Sequence, residues 1–251
     1  MVLSQGAGLV LVALALPLLP PAAPSNADLW WGAIAGVAGG IGVALLYRAL
    51  ALGTMSIVAP ITAVTAVALP VLTSIVLGER PGWIAMLGIL LGIMSIVLVS
   101  RQPSPSSPEG RGGQGVRTGI GAALIAGIGM GIFLLALAQT HREAGLWPLL
   151  TDRIASLAFF GIVMTITRAS PRLPLNLLPL ALGGGALDML ANALYLLAVR
   201  IGPFSPVVTL SALYPATTVL LARAILAERL SAWQTAGVVT ALTAVALIVS
   251  G

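Results

Sequence analysis

Residues 183–199 read GGGALDMLANALYLLAV, an apolar stretch with a carboxylate in it. On insertion scales an Asp at the centre of a membrane span costs about 2.5–3.5 kcal/mol, so Asp188 must face protein or water rather than lipid. Asn192 follows one helical turn later and Tyr195 nearly two, which sets all three on one helix face. Such a stripe could line a substrate cavity, with the carboxylate binding an amine or cycling a proton. The alternative is a hydrogen-bonded Asp that joins helices.

Other groups are candidates on the same terms. Asp152 and Arg153 stand near the start of LWPLLTDRIASLAF; Arg153 could hold a substrate carboxylate, or pair locally, or reach headgroups. Gln139, His141 and Glu143 close another apolar run. His141 can titrate near neutral pH, but beside Arg142 it also reads as an ordinary residue of a wet loop. Thr62 and Thr65 lie between Pro60 and Pro70, and Thr209, Ser211 and Tyr214 lie between Pro206 and Pro215. Prolines free backbone carbonyls and interrupt membrane helices, and broken helices mark many transport sites. These residues are secondary cavity candidates. Arg48 and Arg223 sit inside apolar segments and read as snorkelling side chains or as a cationic cavity rim.

The chain must place these groups without a wetted surface. Of its 251 residues 59% are hydrophobic and 8% charged, against roughly 25% charged in soluble domains. The expected class is an all-α integral membrane protein with the lipid bilayer as its partner. The net charge of +5 rests on single arginines at the ends of apolar runs, which serves topology and not a nucleic acid. Without Cys, and with His141 as the one histidine, no thiolate or His-rich metal site is available, and no cofactor motif is present.

A span needs roughly 20 apolar residues. Nine runs qualify or nearly do: 6–23, 29–50, 54–77, 82–100, 117–140, 146–168, 175–199, 204–226 and 232–250. The first contains Pro17, Pro20 and Pro21; it lacks the basic start of a secretory signal and is read as a helix. Residues 101–116, RQPSPSSPEGRGGQGV, form a flexible linker. They separate residues 1–100 from residues 117–251.

The two halves align at an offset of 149 residues. Gly53 meets Gly202, Ser56 meets Ser205, and Glu79-Arg80 meets Glu228-Arg229. Gly88 then meets Gly237. Matched Ala and Leu would arise from composition alone, but glycines and the Glu-Arg pair in one register indicate duplication. The acid beside the base suggests local pairing, a structural role. Asp188 falls on Gly39, so polarity is expected on one side of a cavity only. Gly32, Gly36 and Gly40, Gly88 and Gly92, and Gly127 and Gly131 repeat at four-residue spacing, which lets helices approach closely.

A repeated unit with a Glu closing its fourth helix and a Gly-rich fifth helix resembles the EamA repeat of the drug/metabolite transporter superfamily. The likeness is carried by YRALALGTMSIVAPITAV with LGERPGWIAMLGILLGIMSIVLV, and by ANALYLLAVRIGPFSPVVTLSALYP with LAERLSAWQTAGVVTALTAVALIV. It implies ten helices in two inverted five-helix repeats around a shared cavity. Here about nine are expected, the first repeat being incomplete by its first helix. An odd number of helices per repeat itself requires inversion.

The expected function is a secondary transporter, not an enzyme, exporting small metabolites such as amino acids or related amphipathic compounds by alternating access. It would lie in the plasma (bacterial inner) membrane, as monomer or homodimer, with protons as a coupling ion. On the sequence, Asp188 is the one deep carboxylate available for coupling. The alternatives are a non-transporting truncated remnant and an intramembrane lipid-modifying enzyme; for the latter, the seven acids are scattered singly. Arg counting places the 101–116 linker inside, whereas the resemblance places it outside.

Overall fold

The computed structural model describes residues 1–52, 55–99, 113–168, 177–213 and 231–250. Among these residues every regular element is helical, because a helix satisfies its own backbone hydrogen bonds where no water can. The helices are α1 (Val2–Ala15), α2 (Asn26–Leu52), α3 (Met55–Val76), α4 (Trp83–Val99), α5 (Gly113–Ala138), α6 (Trp147–Thr167), α7 (Leu178–Ile201), α8 (Phe204–Ser211) and α9 (Ala232–Ser250). Four of them, α2, α5, α6 and α7, are long and apolar enough to cross a bilayer, while α1, α3, α4 and α9 are apolar over shorter lengths. Trp30, Ile34, Leu90, Ile162 and Leu180 are exposed, as a multi-pass integral membrane protein requires of side chains that face lipid.

Three expectations about the elements are corrected. The run 6–23 is not one helix: α1 ends at Ala15, and a 3-10 turn at Leu16–Leu18 follows with Pro17 at its start. Proline has no N–H to continue the ladder, and its ring clashes with the preceding turn. Conversely, Pro60 and Pro70 do not interrupt α3, which is continuous from Met55 to Val76; membrane helices absorb prolines where neighbours take up the freed carbonyls. The linker is also shorter than expected, since α5 begins at Gly113. In the second copy α8 stops at Ser211, while Tyr214, Pro215, Arg223, Glu228 and Arg229 lie outside the described residues.

By its contacts the chain forms two compact units, Met1–Gly40 with Ile132–Ile201, and Ile41–Gly131 with Gly202–Gly251. Each draws on both sides of residues 101–116.

In the first unit α1 packs on α6 and α7. Gly36 of α2 lies so close to the Asp152 carbonyl on α6 that an added Cβ would collide with it, and Gly185 of α7 lies in the same way on the Ser4 carbonyl of α1. Gly36 and Gly185 are 149 positions apart; so are Ser4 and Arg153, the neighbour of Asp152. One packing solution is used twice, and only glycine permits the approach.

In the second unit the duplicated helices meet each other. A Cβ on Gly88 of α4 would sit 3.1 Å from the Ala244 carbonyl of α9, and Ser95 Oγ donates to the Gly237 carbonyl at 2.9 Å. In the 149-residue register Gly88 corresponds to Gly237 and Ser95 to Ala244. The two ends of the contact therefore exchange, and α4 and α9 run antiparallel. Copies of one helix running in opposite directions are what inverted repeats produce.

The Glu-Arg signature also finds its explanation here. Glu79 does not pair with Arg80. Its carboxylate accepts the Ser205 N–H at 3.1 Å and the Ser205 hydroxyl at 2.6 Å, which caps the start of α8 from the end of α3. The expectation of local pairing fails because four free N–H groups and a positive dipole end attract the acid more strongly than a solvated neighbour does.

Candidate functional site

α6 and α7 bring the two candidate acids and the candidate cation together inside the first unit. Arg153 Nη2 donates to Asp188 Oδ2 at 2.8 Å, and Arg153 Nε lies 3.4 Å from Asp152 Oδ2. Arg153 Nη1 donates to Gln5 Oε1 on α1, and the Ser156 hydroxyl donates to the same oxygen at 3.4 Å. The group lies within the spans: Asp188 is about 15 Å along α7 at 1.5 Å per residue.

Exposure divides the cluster. The Arg153 side chain is 4% exposed and that of Asp188 is 55% exposed. Asp152 is buried, and its Oδ2, like Arg153 Nε, has no hydrogen-bond partner. An open carboxylate thus leads to a sealed guanidinium with a second carboxylate behind it. This corrects the view of Asp188 as the one deep carboxylate. Asp152 reads in sequence as a residue near a helix start, but α6 begins at Trp147, which carries it more than a turn inside.

The expected stripe on α7 is only partly present. Asn192 Nδ2 reaches Asp188 Oδ2 at 3.4 Å, so these two share a face. Tyr195 turns away, buried, and its hydroxyl donates to the Leu134 carbonyl of α5 at 2.9 Å. The phenol is helix glue, because a buried O–H needs an acceptor.

The remaining candidates lie elsewhere. Gln139 is exposed just past α5. Thr62, Thr65, Thr209 and Ser211 belong to the second unit. Thr62 Oγ1 donates to the Ala123 carbonyl at 3.2 Å, Thr65 bonds back to the Ile61 carbonyl, and Thr209 bonds back to the Ser205 carbonyl. Ser211 is exposed. Tyr214 is outside the described residues.

Three participants were not singled out in the sequence. Gln5 is the one amide in α1, a polar residue in an apolar run and so a usable signal; Ser156 follows Arg153 by three residues, on the same face. Asp28 is the third. It is buried, accepts the Ser25 N–H at 2.9 Å and hydroxyl at 2.7 Å, and takes the His141 N–H at 2.8 Å with Nδ1 at 3.0 Å. The spacing Ser-x-x-Asp before an apolar run is a capping box in outline. His141 is thereby an anchor for the loop before α6. Arg200 ties the end of α7 to the same loop, donating to the Gly145 carbonyl at 2.8 Å and to Thr140 Oγ1 at 3.2 Å.

Comparison with known proteins places the chain in a family. The model of the EamA-like transporter family matches residues 2–101 and 117–250. The chain belongs to the EamA-like transporter family. The two matched segments are the two copies that the 149-residue register relates. This EamA-like chain is also similar to proteins of known structure, among them a protein of known crystal structure at a TM-score of 0.65 and 15% identity, over 98% of this chain and 93% of that one; at that identity the likeness concerns the fold. No curated protein matches it. Members of the EamA-like family are transporters, and transport across a membrane is the coarse function that the family supports.

Proposed function

We propose that this EamA-like protein is a secondary transporter exporting small amphipathic metabolites, amino acids or related amines, across the bacterial inner membrane. Asp188 and Asn192 form its solute-contacting group, the sealed Arg153 holds Asp188 in place, and Asp152 is the charge behind them. The observation that carries this reading is the charge inventory of the cluster. One guanidinium faces two carboxylates within membrane-spanning helices, so with both ionised the cluster carries one negative charge in excess. Such an excess is costly in a low-dielectric interior, and one cationic equivalent relieves it. A solute ammonium entering at the open Asp188, or a proton, supplies that equivalent. If the two alternate, release of one favours uptake of the other, the logic of an exchanger whose two states differ in occupancy.

The test uses proteoliposomes of the full chain, with efflux of amino acids and simple amines followed under an imposed pH gradient. Asp188→Asn is expected to abolish gradient-dependent efflux, and Arg153→Gln, which releases Asp188 from its partner, to weaken solute binding. Efflux with unchanged rate and unchanged pH dependence in Asp188→Asn would remove the cluster from the mechanism.

A further inference from the structure

A cavity of about 980 Å³ opens in the first unit where α1 stops short, lined among others by Pro17, Leu146, Leu150, Leu197, Arg142 and Glu143. This is the upper range for a site that takes a small organic molecule. α1 ends at Ala15, and past the 3-10 turn the chain runs on without regular structure to Ser25. α1 therefore does not extend over the start of α6 and the end of α7, although α2 packs on the Pro148 carbonyl of α6 through Gly32, and Leu18, Trp147 and Leu197 are left exposed. In a bilayer an apolar gap between helix ends does not stay empty or fill with water; acyl chain enters it, since hydrocarbon solvates apolar walls and water does not. The level is right for a headgroup, because helix ends with a partly exposed Trp mark the membrane interface.

The polar groups at the cavity narrow the occupant. Arg142 and Glu143 are both exposed, and among the described residues neither side chain forms a hydrogen bond or an ion pair, though both charges lie near Arg200. Arg200, also in the lining, is held by Gly145 and Thr140 and keeps a second positive charge beneath them. Two guanidiniums suit a phosphate, and the free carboxylate suits an ammonium with N–H donors. We propose that this cavity is a binding site for one aminophospholipid of the surrounding bilayer. One acyl chain lies along Leu146, Leu150 and Leu197, the phosphate faces Arg142 and Arg200, and the primary ammonium faces Glu143. A choline headgroup has no N–H to offer Glu143, and a glycerol headgroup has no positive charge.

The test is thermal unfolding of the delipidated full chain in detergent with added phosphatidylethanolamine, phosphatidylcholine or phosphatidylglycerol, alongside native mass spectrometry of bound lipid. Phosphatidylethanolamine is expected to raise the melting temperature most and to remain bound as one molecule per chain. Glu143→Gln should erase its advantage over phosphatidylglycerol, Arg142→Gln should weaken both, and Ala193→Trp, which fills the groove, should remove all lipid shifts. Neither Arg142 nor Glu143 holds the fold together through its side chain, so their variants should melt like the parent without lipid. Equal shifts for the three lipids, a larger shift with phosphatidylglycerol, or a phosphatidylethanolamine preference that survives both substitutions would overturn the proposal.

Discussion

The two compact units solve the same packing problem with different chemistry. In the second, α4 and α9 meet through glycines and one serine hydroxyl, and the half-buried Glu79 caps α8. In the first, the glycine contacts of Gly36 and Gly185 recur in matched form, but an ion cluster has been laid over one of them. At the register positions of Arg153 and Asp188 stand Ser4 and Gly39, which cannot form a comparable pair. The packing is therefore present in both copies, and the charge in one. A symmetric scaffold carries an asymmetric site.

That contrast can be broken most sharply at the cluster. Arg153→Gln strands two carboxylates in the spans and should cost about 3–5 kcal/mol, toward the lower end because Asp188 is partly open. Ser4→Ala, its register counterpart, should stay within about 0.5 kcal/mol. Unfolding in detergent compares the two, and an additional Asp152→Asn should recover part of the loss in Arg153→Gln. Equal costs for the two single variants would mean that the charges are not what distinguishes the two copies meeting in the first unit.

The caps come next. Glu79→Ala removes charge-assisted bonds to Ser205 and should cost about 1.5–3 kcal/mol. Asp28→Ala should cost a similar amount in the first unit, and there it should also free the loop bearing His141, seen as faster hydrogen exchange at residues 139–145. If that loop stays protected, Asp28 is not its anchor.

Gly36→Ala and Gly185→Ala sharpen the symmetry itself. Each forces a backbone separation and should cost about 1–3 kcal/mol, the two being nearly equal if the contacts are copies. A large inequality would show that the register does not extend to the packing. A smaller effect than at either glycine is expected at Ser95→Ala, about 0.5–1.5 kcal/mol for one neutral hydrogen bond.

Much of the fold was legible because hydrocarbon imposes a simple code. Apolar runs near 20 residues became helices, and the 149-residue register pointed to duplicated helices, of which α4 and α9 run antiparallel. The helix at 6–23 was misjudged in extent, since the length of an apolar run does not reveal where Pro17 stops the ladder. The site was half legible. Asp188 stood out as a charge where charge is expensive, but Asp152 looked like a helix-end residue and Gln5 like a stray amide. Tyr195 shared a predicted face with Asp188 yet turned to the Leu134 carbonyl, a choice that periodicity alone cannot make.

By itself the sequence determined the solvent, the helices and the duplication, because hydropathy and repeated residue identities are local and survive without coordinates. Only the tertiary structure decided which charges meet: that Arg153 reaches Asp188 and Gln5, that Glu79 leaves Arg80 for Ser205, and that His141 holds Asp28. Electrostatic and hydrogen-bonded pairs form over a few ångströms between residues as many as 151 positions apart, and that distance is set by how helices pack, not by how they are ordered along the chain.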